Sequence, residues 1–433
     1  MASEWSGLAT FGEISDEILA SKSNSSVEDK GTQTEELFIS GKKAQEPVWI
    51  LVNKEDDTVK KLLSYWKKEN HAQDTYLTYN ESTRVYLPEY VKDTWKVNDD
   101  NIAQTRITVG FGMDELSFEL ISEVWSYIGL ARRHRGYDNK VLRYFRDPMK
   151  HGASYHQLEV DGMMREWYEY VPKHFIGSDK KLPVVVAFHG RGGNGETFFD
   201  ITEMSLVAEE RGFIALFPTA DIYQIREGGF RGVRLWNGNY MGEALDSLPF
   251  IRKMIEDVED RLPVDKGRIY ACGQSSGGYM TAYCALAASD IFCAVAPWSG
   301  FSCPGLMEGF DYKKESFFDH GHVPIQLLVG KKDNFFGQES VYPVEGDSQL
   351  TKFIKFIIDE YELDKEVQSY SCFPIDYTVW NNSEGIPMLI VGLVTDMPHA
   401  NYAEESWIAY DQFLCKFSKD ENGNRYYMGS KIS

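Results

Sequence analysis

Gly273-Gln-Ser-Ser-Gly277 is the stretch of this chain whose residue types and spacing speak most directly of chemistry. A strand pattern, Arg268-Ile-Tyr-Ala-Cys272, runs into it, and a helical pattern, Tyr279–Ala288, runs out of it. A serine at such a junction sits on a sharp turn with its hydroxyl raised above the sheet edge. The flanking glycines leave room for the turn, and the start of the helix favours negative charge developing beside it. A purely structural turn explains the glycines, but not the coincidence of strand, serine and helix. Ser275 is the candidate nucleophile.

A serine hydroxyl is a weak nucleophile until a base takes its proton and a carboxylate orients that base. With the nucleophile at a strand–helix junction, the expected chain order is serine, then Asp or Glu, then histidine. Only His320, His322 and His399 follow Ser275. His320 and His322 precede a strand pattern, which places them at the wrong end of a sheet. His399 follows the strand pattern Met388–Val394 and is the candidate base; a surface-loop histidine is the plain alternative. Asp333, just after Ile325-Gln-Leu-Leu-Val329, is the candidate acid, and Asp396 is the alternative.

Acyl transfer also needs backbone N–H groups aimed at the developing oxyanion. Ser276 is expected to supply one. Arg191, in the loop His189-Gly-Arg-Gly-Gly-Asn-Gly195, is expected to supply the other. These glycines also suit a phosphate loop, but no Gly-Lys-Ser/Thr follows them. Trp236 and Trp298 flank loops at the sheet edge and are candidates for lining a substrate groove, with ordinary core packing as the bland reading. No metal and no cofactor is implied.

The elements that must position these residues begin near residue 155. Trp167–Val171 reads as an early strand. Leu182–Phe188 and Phe213–Phe217 are continuous apolar runs, as in strands buried on both faces. Leu248–Arg261 carries Phe250, Ile251, Met254, Ile255 and Val258 at helical spacing. Further strands are expected at Cys293–Pro297 and Ile325–Val329, and further helices at Met204–Arg211, Lys352–Tyr361 and Glu404–Lys416. Strands alternating with helices imply an α/β fold, a doubly wound and mostly parallel sheet covered on both faces.

The first 145 residues echo the later ones in order. Trp5-Ser-Gly-Leu8 echoes Trp298-Ser-Gly-Phe301, and Pro47-Val-Trp-Ile-Leu-Val52 with Asp56 echoes Pro324-Ile-Gln-Leu-Leu-Val329 with Asp333. Ile107–Met113 echoes Leu389–Met397, and helices around Trp125 and Trp407 follow. Residues 1–147 are therefore expected to be a non-catalytic half-repeat of the catalytic domain, 148–433. The half-repeat would contain an Asp56 resembling the acid but no nucleophile or base. A half-sheet leaves an apolar edge, so packing on the catalytic domain or self-association is expected.

The formal charge of −21 over 433 residues makes nucleic acid an unlikely partner and disfavours anionic membranes. No stretch approaches the ~20 apolar residues that span a bilayer. Met1-Ala-Ser-Glu-Trp-Ser-Gly lacks a signal-peptide pattern, which implies a cytoplasmic protein if that start is authentic and a secreted one if the chain is a fragment. The six cysteines contain no Cys-x-x-Cys pair and read as buried small hydrophobes, with one disulfide left open.

Residues ~155–420 resemble the polyhydroxybutyrate-depolymerase-like esterases, which include feruloyl and acetyl-xylan esterases of carbohydrate esterase family one. The resemblance rests on Phe188-His-Gly, Gly212-Phe, Phe217-Pro218, Trp236-Asn237, Val264-Asp265, Arg268-Ile-Tyr270, Gly273–Gly278 with Met280, Ala294-Val-Ala-Pro, Ser299-Gly300, Asp333 and Met397-Pro-His399-Ala. It implies an α/β hydrolase in which Ser275, Asp333 and His399 cleave a small-molecule or polysaccharide-linked ester. Gly330-Lys-Lys-Asp333 departs from the usual Gly-Thr-x-Asp turn, and the missing signal weakens the case for a polymer. Peptidase or acyltransferase chemistry on the same residues, and a non-catalytic carbohydrate-binding or scaffold protein, are the alternatives.

Overall fold

A computed structural model describes residues 8–11, 45–91, 101–112, 116–129, 131–133, 142–223, 233–236, 246–306 and 317–432. The chain divides into two compact units, Met1–Phe145 and Arg146–Ser433.

The first unit holds β1 (Leu8–Phe11), β2 (Val48–Val52), α1 (Asp57–Glu69), β3 (Leu77–Thr78), β4 (Thr83–Tyr86), β5 (Thr105–Val109) and α2 (Phe118–Ile128). A small ribbon of β6 (Ala131–Arg133) and β7 (Leu142–Tyr144) follows. The five-stranded sheet has the order β1-β2-β5-β4-β3. β1, β2 and β5 run parallel, and β4 and β3 return antiparallel. Helix α1 buries Val59, Leu62, Leu63 and Trp66, and Asp56 caps its start by accepting from Val59 N–H at 3.0 Å. Helix α2 buries Val124 and Tyr127 but leaves Phe118, Ile121 and Trp125 exposed.

The second unit opens with the hairpin β8 (Ser154–Val160) and β9 (Met163–Tyr170), then β10 (Leu182–Phe188), α3 (Gly195–Thr202), α4 (Met204–Arg211) and β11 (Ile214–Pro218). After the short pair β12 (Ile222–Tyr223) and β13 (Val233–Arg234) come α5 (Leu248–Arg261), β14 (Val264–Gln274), α6 (Ser276–Ala287), β15 (Ala294–Trp298) and β16 (Ile325–Gly330). Helix α7 (Gln349–Glu360), β17 (Val367–Cys372), β18 (Ile375–Asn381), β19 (Pro387–Val394) and α8 (Glu404–Gln412) complete the main layers.

The ten-stranded sheet has the order β17-β18-β19-β16-β15-β14-β10-β11-β9-β8. Its six inner strands are parallel, and an antiparallel hairpin closes each side. The apolar runs explain the centre: every residue of β10, β11, β15 and β16 is buried. Only helices on both faces can cover such strands, and α5 presents the expected stripe, with Phe250, Ile251, Met254, Ile255 and Val258 buried. This is the α/β fold expected from the alternation.

The edge strands were not expected. β17 is polar and almost wholly exposed, Val-Gln-Ser-Tyr-Ser-Cys, so it carries no burial signal. The first unit has the strand order and directions of β15-β16-β19-β18-β17 in the second. One of the sequence echoes, however, is out of register. Leu8 opens β1, whereas its counterpart Phe301 lies beyond the end of β15. The rest of that echo, Trp5-Ser-Gly, lies outside the described residues, as does Met113. The six cysteines are free, Cys272, Cys284, Cys293 and Cys303 in the interior and Cys372 and Cys415 exposed. No helix among the described residues is long and apolar enough to cross a membrane.

A C-terminal ribbon of β20 (Phe417–Lys419), β21 (Arg425–Tyr427) and β22 (Ser430–Lys431) secures the far end of α6. Buried Arg425 donates to the carbonyls of Ser289 at 2.8 Å, Phe292 at 3.0 Å and Cys293 at 3.1 Å. Truncation strands three buried acceptors, so Arg425→Ala is expected to lower unfolding free energy by about 3 kcal/mol. Urea denaturation reads this, and a loss below about 1 kcal/mol would contradict it.

Candidate active site

In parallel strands all C-termini point to one sheet edge, and ligands collect there. β14 ends at Gln274, β16 at Gly330 and β19 at Val394. Ser275 follows its strand end directly, and Asp333 and His399 lie in the loops just after theirs, so strand direction delivers to one edge residues 124 and 66 positions apart in the chain.

Ser275 occupies the turn between β14 and α6 with φ 55° and ψ −115°. This is a strained backbone for a residue with a side chain, of the kind concentrated at functional sites. Its N–H donates to Trp298 carbonyl at 2.9 Å. Gly277 lies so close to β10 that a Cβ there would stand 1.9 Å from the Phe188 carbonyl oxygen. The glycine is needed for that approach, and the approach holds the turn.

His399 Nε2 lies 2.8 Å from Ser275 Oγ, and His399 Nδ1 lies 2.8 Å from Asp333 Oδ2. The imidazole is partly exposed and the Asp333 carboxylate fully buried. Asp333 Oδ1 accepts from Phe335 N–H at 2.9 Å and Phe336 N–H at 3.2 Å. Burial pushes the Asp333 carboxyl up, but the His399 hydrogen bond and the two backbone donors outweigh it and hold the group below its ordinary value. A carboxylate that stays ionised in a dry site can hold one tautomer of the imidazole, with Nε2 free to accept from a hydroxyl.

The alternative acid is elsewhere engaged. Asp396 is exposed and pairs with Lys332 at 2.5 Å. His322 stacks on Tyr361 at 4.3 Å, ahead of β16 and at the other end of the sheet. In the first unit, the Asp56 carboxylate serves as a helix cap.

Ser276 is the first residue of α6, where backbone N–H groups lack partners within the helix. Arg191 lies in the turn after β10, close behind His189 and Gly190. The expectation for the two tryptophans is corrected: Trp236 and Trp298 are both fully buried. Trp236 packs edge-on against Phe188 at 5.0 Å, and Trp298 is the last residue of the wholly buried β15. Large aromatics at a sheet edge gain more by filling the core than by facing water. Asn237, beside Trp236, lies outside the described residues.

Among the described residues, Phe335 is an aromatic that does face solvent beside His399. It is 65% exposed, and its ring meets the His399 ring edge-on at 4.9 Å. Behind it, Phe336 stands 5.9 Å from His399 and 4.7 Å from Phe301. Sequence reasoning missed Phe335, although its place two residues after Asp333 was a usable signal.

Residues 169–305 match the family model described as Esterase PHB depolymerase. Feruloyl esterase B of Thermothelomyces thermophilus is 31% identical over 140 residues, covering 32% of this chain and 45% of that protein. Poly(3-hydroxyalkanoate) depolymerase C of Paucimonas lemoignei is 27% identical over 145 residues, 31% of each chain. Among solved structures, an acetyl xylan esterase from Aspergillus awamori aligns over 60% of this chain and 99% of its own, at 16% identity and a TM-score of 0.45. The chain spans less than half the length of these curated relatives. Residues 169–305 are thus similar in sequence to esterases of the polyhydroxybutyrate-depolymerase type.

Because Asp333 is held below its ordinary value when folded, its contribution to stability is present above the unfolded carboxyl range. That contribution is lost as pH falls through the depressed folded value. Asp333→Asn should remove this part of the acid sensitivity. Urea midpoints from pH 7 down to pH 2 check it, and identical pH dependence in both proteins would count against it.

Proposed function

We propose that the second unit hydrolyses carboxylic esters through an acyl-enzyme on Ser275. The observation that carries this reading is the unbroken hydrogen-bond chain from Ser275 Oγ through His399 to Asp333. His399 Nε2 takes the hydroxyl proton as Oγ attacks the ester carbonyl carbon. The oxyanion so formed is received by the Ser276 and Arg191 N–H groups. The C–O bond to the alcohol breaks, and the alcohol leaves with the proton held by His399. Water then gives a proton to His399 as it attacks the acyl carbon, the bond from that carbon to Oγ breaks, and His399 returns the proton to Oγ as the acid departs.

Feruloyl, acetyl or hydroxyalkanoate-type esters are the proposed substrates, the feruloyl and hydroxyalkanoate classes supported by the names of the relatives. The exposed Phe335 ring next to His399 supplies an apolar surface for such a group. A peptidase or acyltransferase would use the same three residues. A non-catalytic carbohydrate-binding role would leave the aligned triad without a purpose.

The first unit is proposed to be a half-repeat that supplies no catalytic group. The use of Asp56 as a cap supports this. The exposed stripe Phe118, Ile121 and Trp125 supports self-association through that unit. A fragment of residues 146–433 should keep full turnover and lose any self-association detected by sedimentation. A folded but inactive fragment would place part of the site in the first unit.

Ser275→Ala should lower kcat at least ~1,000-fold on every ester in a panel of feruloyl, acetyl, butyryl and hydroxybutyryl compounds. Near-normal turnover by this variant would reject the reading. Faster cleavage of matched amides than of esters would move it to a peptidase.

A further inference from the structure

The two proposed oxyanion donors come from different parts of the chain. Ser276 N–H belongs to the turn after β14, and Arg191 N–H to the turn after β10. Their separation matters, because oxyanion donors work only when held within hydrogen-bond reach of one oxygen. A short segment, residues 233–236, bridges both turns. Trp236 N–H donates to Ser276 Oγ at 3.1 Å. The Trp236 indole N–H donates to the His189 carbonyl at 2.9 Å. Two residues earlier, the Arg234 carbonyl accepts from Gly192 N–H at 2.9 Å. Arg191 thus sits between two points, His189 and Gly192, that are tied to this one segment.

The tie is built of dry, directional contacts. Trp236 is fully buried, and its ring lies against Phe188 at 5.0 Å and His189 at 5.1 Å. His189 is fixed in turn. Its Nε2 accepts from Ala220 N–H at 2.9 Å, so the ring proton is on Nδ1, which donates to the Gly190 carbonyl at 2.6 Å. Burial lowers its pKa to about 4, so the ring stays neutral and keeps this pair of bonds. The hydroxyl of Ser276 also gains a purpose beyond the nucleophile motif: it is the acceptor that joins the tie to the elbow.

We infer that Trp236 is a positioning residue that sets the spacing of the oxyanion hole by clamping the loop after β10 to the nucleophile turn. It touches no reacting atom and acts through His189 and Ser276. The inference rests on Ser275 being the nucleophile, and the experiment separates the two claims.

Trp236→Phe keeps an apolar ring and removes the indole N–H. Ser276→Ala keeps the backbone donor and removes the acceptor for Trp236 N–H. Turnover of an acetyl ester is measured per active site titrated with a fluorophosphonate. In parallel, a boronic acid that forms a tetrahedral adduct on serine is used as inhibitor. Both variants should show kcat lowered about 10- to 100-fold with KM within twofold, since a displaced donor costs somewhat less than a deleted one. The boronic acid should weaken by the same factor as kcat/KM, a response that lowered stability alone does not produce. A kcat per titrated site within twofold of wild type in either folded variant overturns the inference, as does a loss confined to KM. If Trp236→Phe does not fold, Ser276→Ala decides by the same measurements. Retained turnover in Ser275→Ala would instead reject the nucleophile assignment.

Discussion

Ser275 stands at the end of β14 in a backbone conformation, φ 55° and ψ −115°, that a serine does not adopt without support. Strain of this kind costs about 1–3 kcal/mol. The support comes from both neighbours of β14. On one side the Phe188 carbonyl of β10 presses against Gly277, and on the other the Trp298 carbonyl of β15 accepts from Ser275 N–H. A Cβ at Gly300 would come within 2.2 Å of the Ser275 carbonyl oxygen, so the chain leaving β15 also closes on the turn. The elbow is therefore a property of three adjacent strands and not of five residues. The loop proposed to complete the oxyanion hole leaves from β10, one of those strands, so strain and charge stabilisation share one framework.

Electrostatics follows from the same geometry. The parallel inner strands deliver Asp333 and His399 to the same edge, and depth then separates their environments. Asp333 lies at the bottom, buried from solvent and with three hydrogen bonds holding its charge. His399 lies above it, partly open to solvent and within hydrogen-bond distance of Ser275 Oγ. Asp396, three residues from His399 in sequence, is spent on an exposed pair with Lys332. Proximity along the chain was thus a poorer guide to the carboxylate that pairs with His399 than the strand after which each aspartate comes.

Much of this was legible in the sequence, for identifiable reasons. Strands buried on both faces must be apolar throughout, so β10, β11, β15 and β16 announce themselves. The nucleophile turn shows because its glycines are forced by contacts under 3 Å. What was hidden lacked a one-dimensional signature. The polar β17 pairs only with β18 at the sheet edge, where burial imposes no pattern. Trp236 and Trp298 are large aromatics near a site, and their types do not say whether they line it or fill the core beneath it. Of the echo Trp5-Ser-Gly-Leu8 only Leu8 is described, and it opens β1, whereas Phe301 lies past the end of β15.

The central claim is that Ser275 Oγ is nucleophilic because His399 and Asp333 make it so. Intact-mass spectrometry after incubation with a fluorophosphonate tests it most directly, with peptide mapping of the adduct. One adduct per chain is expected, on the peptide containing Ser275, with no adduct in Ser275→Ala and labelling slowed at least ~100-fold in His399→Ala. Labelling at another residue, or an unchanged rate in folded His399→Ala, would contradict it.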